Sequence, residues 1–153
     1  MSKRQAVGNA GLDIRRVVRA PKDRVFRAWT NAPDVVKWWG PGPVTCPDAE
    51  FDLTVGGRYR IANREPDGTI IMIRGAFEEI APPHRLVYSW FMNAEPSAGG
   101  GSRVTVEFRD HAEGTEILIR HERLATTDIA ENHRLGWEGC LDKLAAYLAA
   151  DAP

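Results

Sequence analysis

The sequence has little cysteine and no long apolar run. Its 153 residues include two cysteines, Cys46 and Cys140, and neither belongs to a CxxC pair or to a Cys/His pair with the spacing of a zinc site. Two cysteines are too few for a disulfide framework, so we predict free thiols and no metal ion. No apolar run approaches the roughly 20 residues that cross a bilayer, and we therefore expect no membrane contact.

Common catalytic motifs are also missing. The sequence contains no GxSxG, GxxxxGK[ST] or HExxH motif and no GxGxxG that opens a helix. The consecutive glycines at 99–101 lack the flanking strand and helix of a phosphate-binding loop. The sequence gives no indication that a Ser, a His and an Asp come together as a triad. We therefore expect no cofactor and identify no catalytic residue.

Charge of one sign does not dominate the chain as a whole. The net charge of −1 conceals an uneven distribution, because residues 1–75 carry 13 Lys or Arg and 8 Asp or Glu, and residues 76–153 carry 7 and 13. A basic half is compatible with nucleic-acid binding, but its arginines alternate with valine and phenylalanine as on the solvent faces of a strand and a helix. We expect the two halves to complement each other in the fold, without a nucleic-acid partner.

Length and composition are typical of one globular domain. The chain is 43% hydrophobic and 27% charged and is long enough to bury a core, so we predict a single domain over residues 1–153. Its first residues, MSKRQAVGNAG, include two basic side chains with no apolar segment after them, unlike a signal peptide or an anchor. We expect a flexible stretch over residues 1–10 and a cytoplasmic location.

The pattern of apolar residues predicts an α+β order of elements. The β-branched segment 12–20 indicates a strand, and Pro21 opens a helix over 21–29. A second short helix is predicted from Pro33 to Trp38 or Trp39. Residues 49–124 contain about six strands with short connections, which favours an antiparallel meander. A long helix over 128–150, whose apolar stripe begins at Ile129, closes the chain.

Several short motifs give the chain a family resemblance. It resembles the Aha1 C-terminal-domain-like group, often called AHSA1, of the START-like (SRPBCC) superfamily. The segments that carry the resemblance are Ala20-Pro21, Val25-Phe-Arg-Ala-Trp29, Trp38-Trp-Gly-Pro41, Asp52-Leu-Thr-Val-Gly-Gly-Arg-Tyr59, Arg85-Leu-Val-Tyr-Ser-Trp90, Gly114-Thr115 and Gly136-Trp137. The resemblance implies a helix-grip fold, in which a curved antiparallel sheet wraps around a long C-terminal helix, with two short helices after the first strand.

The resemblance also implies a cavity between the sheet and the final helix, and three functions remain open. The first is binding of a small hydrophobic or aromatic ligand. The second is an enzyme of the cyclase, lyase or hydrolase type that uses polar cavity residues. The third is a co-regulator of an Hsp90-type chaperone ATPase, with a role in stress response, although the chain lacks the separate N-terminal domain of the full activator. A homodimer is a further open alternative.

The adjacent tryptophans Trp38 and Trp39 need separate explanations. Neighbouring side chains in a helix or strand point in different directions, so both rings cannot enter one core along one face. One hypothesis is that Trp38 helps to close the mouth of the cavity while Trp39 packs beneath it. The alternative is that both rings simply fill the end of the core.

Eight residues are predicted to bind the ligand. His133 is the most informative, because it is a titratable group on an apolar helix stripe and can bond a ligand carbonyl, act as a base or bond a loop carbonyl. Arg74 either points inward toward an acidic ligand group or pairs with charges on the outer face. The complete set is Trp38, Tyr59, Arg74, Trp90, Phe108, His133, Trp137 and Cys140.

Overall fold

A computed structural model describes residues 8–93 and 100–151 of the chain. Residues 1–7 of the predicted flexible stretch, and Gly99 of the consecutive glycines, lie outside the described residues. The elements in chain order are β1 (Ala10–Val18), α1 (Lys22–Thr30), α2 (Ala32–Trp38), β2 (Ala49–Phe51), β3 (Arg58–Arg64), β4 (Ile70–Ala81), β5 (Arg85–Met92), β6 (Ser102–His111), β7 (Gly114–Leu124) and α3 (Thr127–Asp151).

The strands form one antiparallel sheet in the order β1-β7-β6-β5-β4-β3-β2. The first strand therefore pairs with the last, and α1 and α2 carry the chain from one edge of the sheet to the other. Alternation sets the inner face: Val104, Val106 and Phe108 on β6 are buried, whereas the residues between them are half-buried. The predicted α+β fold with a curved sheet and a long final helix is confirmed.

A close approach at Gly75 marks the middle of the sheet. The Tyr59 hydroxyl on β3 donates a 2.7 Å hydrogen bond to the Ser89 carbonyl on β5, across β4. A Cβ atom at Gly75 would lie 2.0 Å from that carbonyl oxygen and 2.7 Å from the Tyr59 ring. Glycine is therefore required here, because any side chain would displace the Tyr59 ring from the inner face.

The corner after α2 is attached to α3. Gly40 turns the chain with φ +111°, and a Cβ atom there would lie 2.5 Å from the Val44 carbonyl oxygen. The Lys143 ammonium group of α3 donates a 2.7 Å hydrogen bond to the same Val44 carbonyl. A Cβ atom at Gly139 would lie 2.7 Å from Pro41 Cβ, so α3 and the corner are in direct backbone contact.

The long helix buries one stripe against the sheet. Its first turn is capped by the Thr126 hydroxyl, which accepts a hydrogen bond from the Ile129 N–H. Ile129 was expected to begin the buried stripe, but it is 38% exposed, and Ala130 is the buried residue of this turn. His133 and Gly136 of the predicted stripe are half-buried. The other members are buried as expected: Trp137, Cys140, Leu141, Leu144 and Leu148.

Candidate functional site

The space beneath the centre of the sheet is filled by aromatic rings. We call this set the aromatic core; it consists of Phe26, Trp29, Trp38, Tyr59, Phe77, Tyr88 and Phe108. Only a void of about 10 Å³ remains beside Trp29, Tyr59 and Tyr88. A void of that size holds about one water molecule at most, so the aromatic core has no room for an organic ligand.

A larger space lies at one side of α3, between this helix and the inner face of β3, β4 and β5. We call it the α3 groove, and its volume is about 220 Å³. The residues that line it are Trp39, Pro41, Val44, Asn63, Glu65, Ile71, Ile73, Trp90, Met92, Asn132, His133, Gly136, Trp137 and Cys140. Most of the lining is apolar, with a few polar groups, which is the usual composition of a small-molecule site.

The position of α3 and one glycine leave the groove open. The helix makes its most extensive sheet contacts with β1, at the far edge from β3. Gly136 lies on the groove side of α3, and a Cβ atom built there would meet no atom within 4 Å. The groove therefore exists where the helix departs from the sheet and where the helix lacks a side chain to fill the gap.

A buried histidine joins the wall of the groove to the interior. We call this group the His121 cluster: His121, Ser102, Trp90, His133 and Trp137. The Trp137 indole N–H donates a 3.1 Å hydrogen bond to His121 Nδ1, and His121 Nε2 lies 2.8 Å from the Ser102 hydroxyl. Since Nδ1 accepts, Nε2 carries the proton and donates to Ser102, which in turn donates to the Trp90 carbonyl oxygen.

Burial holds His121 in its neutral form. The side chain is fully buried, and burial lowers the pKa of His121 to about 3, with the electrostatic influence of the neighbouring His133 as the smaller cause. A second proton would sit on Nδ1, where it would face the Trp137 N–H instead of accepting from it. His121 is therefore a fixed hydrogen-bond acceptor for the Trp137 indole. It does not take up a proton at neutral pH.

Two polar atoms at the groove have no protein partner within the described part of the chain. They are the indole nitrogen Nε1 of Trp90 and the imidazole nitrogen Nε2 of His133, and both are shielded from solvent. His133 Nδ1 lies 2.8 Å from the Ile129 carbonyl oxygen, so this side of the ring is already bonded within α3. Buried polar groups in proteins normally have partners, so these two nitrogens are the most informative atoms of the groove.

The structure brings half of the predicted ligand-binding residues to the groove. Trp90, His133, Trp137 and Cys140 line it together. Burial raises the pKa of the Cys140 thiol to about 12, so it contributes an apolar surface and not a nucleophilic thiolate. Tyr59 lines the small void of the aromatic core instead.

Trp38 and Phe108 lie away from the groove, in the aromatic core. The Trp38 ring is 1% exposed and donates a 2.9 Å hydrogen bond to the Ala28 carbonyl, which fixes it against α1. Of the two alternatives for Trp38, the structure places this ring in the core and not at the mouth of the groove, which Trp39 lines instead. The Trp39 indole donates a 2.9 Å hydrogen bond to Asn63 Oδ1, which turns it toward β3.

Arg74 does not line the groove. On β4, Ile73 and Gly75 are buried on the inner face, and alternation places Arg74 between them on the opposite face. Its neighbour in the register of β3 is Arg60, which forms an ion pair with Asp48. Arg74 therefore lies on the outer face of the sheet, away from the groove.

Sequence reasoning missed Trp39, His121 and Gly136 as parts of the site. His121 follows Thr115, Ile117 and Ile119 at intervals of two on the inner face of β7, so strand alternation could have identified it. Gly136 carries no signal of a groove, because an absent side chain is informative only when its surroundings are known.

The described residues contain no cluster of three or more His, Cys, Asp or Glu that could hold a metal ion. Within residues 8–93 and 100–151, no helix is both long enough and apolar enough to span a membrane.

Comparison with known proteins places the chain among related structures. The family model described as activator of Hsp90 ATPase homolog 1-like protein, AHSA1, matches residues 19–149. A structure of a protein from Chromobacterium violaceum is 26% identical with a TM-score of 0.78, over 91% of this chain and 96% of that chain. The AHSA1 protein from Silicibacter pomeroyi is 23% identical with a TM-score of 0.81, over 94% of this chain and 100% of that chain.

A third structure with the same fold is an AHSA1-like protein from Aeromonas hydrophila, 22% identical with a TM-score of 0.79, over 93% of this chain and 94% of that chain. No curated protein sequence matches the chain. The similarity therefore extends over nearly the whole fold.

Proposed function

We propose, from the premise that this chain belongs to the AHSA1 family, that it binds a small and mainly apolar ligand in the α3 groove. The family defines the fold, and a fold alone does not define a function. The proposal therefore depends on one observation: a groove of about 220 Å³ lined by Trp39, Trp90 and Trp137, beside an otherwise filled interior.

The size of the groove limits the ligand. Sites for drug-sized molecules usually have volumes of about 300 Å³ or more, so a groove of about 220 Å³ suits a single ring or a short branched chain. The three tryptophan rings offer flat apolar surfaces, which favours an aromatic ligand over a flexible one. The enzyme, chaperone and homodimer alternatives stay predictions, since no contact within the groove favours any of them.

Gly136 offers a direct test of ligand binding. Toluene serves as the probe, and binding is followed by NMR shifts of the indole N–H signals. We expect toluene to shift the signals of Trp39, Trp90 and Trp137 more than those of Trp29 and Trp38. The variant Gly136→Leu fills the groove from an open position on α3 and should abolish these shifts.

The matched control is Ala146→Leu, which adds a leucine at an exposed position of the same helix that does not line the groove. This control should bind toluene as the unmodified protein does. Equal binding by the Gly136→Leu variant would contradict the proposal. Native mass spectrometry of freshly purified protein then identifies any ligand that the cell supplies.

A further inference from the structure

We infer that the ligand of the α3 groove carries a neutral hydroxyl group, which accepts a hydrogen bond from Trp90 and donates one to His133. The inference rests on the proposed function, because it defines the chemistry of a ligand in the same groove. It starts from the two nitrogens that have no protein partner within the described residues, Trp90 Nε1 and His133 Nε2.

The role of each nitrogen follows from its chemistry. An indole N–H can only donate, so Trp90 needs an acceptor. His133 Nδ1 lies 2.8 Å from the Ile129 carbonyl oxygen, which can only accept, so Nδ1 carries a proton. In the neutral form of a ring protonated at Nδ1, Nε2 is an acceptor, and a ligand that meets it there must donate.

The two rings are close enough to share one ligand oxygen. The Trp90 and His133 rings both line the groove, and their centroids are 6.1 Å apart. Two hydrogen bonds of about 3 Å to one oxygen span about 6 Å at most, so one oxygen can bond both rings when it lies between their nitrogens. A hydroxyl group both donates and accepts, so it satisfies the pair, whereas an ether or a carbonyl oxygen satisfies Trp90 alone.

The other polar groups of the groove favour a neutral ligand. Among the described residues that line it, Glu65 is the one carboxylate, and none is a lysine or an arginine. A carboxylate ligand would accept from Trp90 but has no hydrogen to donate to an acceptor nitrogen, and it would meet the charge of Glu65. Asn63 Oδ1 is occupied by the Trp39 indole, and Asn132 is exposed at the rim. A small phenol or alcohol fits these groups best.

Three probes of nearly equal size test the inference: 4-methylphenol, 4-methylanisole and toluene. They carry a hydroxyl group, a methoxy group and a hydrogen atom at the same ring position. The hydroxyl group donates and accepts a hydrogen bond, the methoxy group only accepts, and the hydrogen atom does neither. Titration followed by NMR should show that 4-methylphenol binds about tenfold more tightly than 4-methylanisole or toluene, as expected for buried hydrogen bonds. The variants Trp90→Phe and His133→Phe, which keep an aromatic ring, should each reduce this preference to about twofold or less.

The control is His84→Phe, at an exposed position that does not line the groove, which should keep the full preference. Equal binding of toluene and 4-methylphenol by the unmodified protein would overturn the inference and leave the proposed function intact. A preference that survives both Trp90→Phe and His133→Phe would also overturn it. Absence of binding by all three probes would overturn the inference together with the proposed function.

Discussion

The aromatic core and the α3 groove lie beneath one sheet and show how differently the same fold can pack. Between Trp29, Tyr59 and Tyr88 a void of only about 10 Å³ remains, whereas the groove measures about 220 Å³. Both regions are lined by aromatic rings, so composition does not explain the difference. The core is closed because rings from α1, α2 and the sheet meet edge to face, as between Trp29 and Phe108, whose planes are inclined by 77°.

The groove is open because its helix side offers no side chain at Gly136. Trp137 and Cys140 lie beside this position on α3. Neither side chain fills the space between α3 and the sheet residues Ile71 and Met92. The volume of the α3 groove therefore depends on one small residue next to large ones. The comparison predicts that substitutions in the core change stability, whereas those in the groove change binding.

The largest effect is expected for Trp38→Ala. Its ring is 1% exposed, so its removal should lower the free energy of unfolding by about 3–5 kcal/mol, from lost burial and the cavity left behind. Urea denaturation measures this change. The control Ile71→Ala, at a half-buried position beside open space, should cost about 1 kcal/mol. Similar costs for both variants would show that the core and the groove do not differ in packing.

The dependence of stability on pH should reveal the contribution of His121, whose cluster lies between the aromatic core and the α3 groove. The folded protein keeps His121 neutral down to about pH 3, whereas the unfolded chain binds a proton at His121 below its ordinary pKa of 6.5. The unfolded state therefore binds more protons between these values, and His121 should remove about 1.4 kcal/mol of stability for each pH unit below about pH 6. This contribution is fully present above pH 6.5.

The measurement compares stability against pH for the unmodified protein and for His121→Gln, with His84→Gln as an exposed control. Only His121→Gln should flatten the decline. NMR titration of the His121 ring gives an independent result that does not depend on the variant. A His121 signal that titrates near pH 6 would show that the cluster is open to water.

Gly139→Ala should have an intermediate effect. A Cβ atom there would lie 2.7 Å from Pro41 Cβ and 3.0 Å from Pro41 Cα, so α3 and the corner must separate. We expect a net loss of about 1–2 kcal/mol in thermal or urea unfolding, because overpacking outweighs the gain in helix propensity. A stabilised variant would mean that the corner moves freely away from α3.

The smallest effect, with the opposite sign, is expected for Gly136→Ala. A methyl group at this position meets no atom within 4 Å, so only the helix propensity changes. The free energy of unfolding should rise by about 0.5–1 kcal/mol. Gly136 and Gly139 lie three residues apart on α3. The same unfolding experiment on both variants compares the open position, Gly136, with the packed position, Gly139. A loss of stability at Gly136 would indicate that the groove is closed in solution.

Much of the fold could be predicted from the sequence because local signals agreed. The alternation from Arg103 to Arg109 and the turn at Asp67-Gly68 gave β6 and the β3–β4 hairpin directly. The helix predicted from Pro33 to Trp38 or Trp39 agrees with α2 within a residue at each end. The first strand begins two residues earlier than predicted, because pairing with β7 extends it to Ala10.

The candidate site could be predicted only in part. The helical period placed His133, Trp137 and Cys140 on one side of α3, and the structure brings Trp90 against them. The choice between Trp38 and Trp39 could not be made, because Trp38 ends a short helix, Trp39 follows it, and the helix end can turn either ring inward. Arg74 and His121 lie on opposite faces of the sheet. Strand alternation could have shown that His121 faces inward, whereas the continuous apolar run before Arg74 has no alternation that shows its face.

The sequence by itself determined the elements, their antiparallel order and the apolar stripe of the final helix, because these depend on residue patterns that repeat within a few positions. Only the tertiary structure decided that the aromatic core is filled, that a groove opens beside Gly136, and that two ring nitrogens there lack partners among residues 8–93 and 100–151. The physical reason is that free volume and hydrogen-bond satisfaction depend on side chains that are distant in the chain, and their positions become defined only when the sheet curves around the helix.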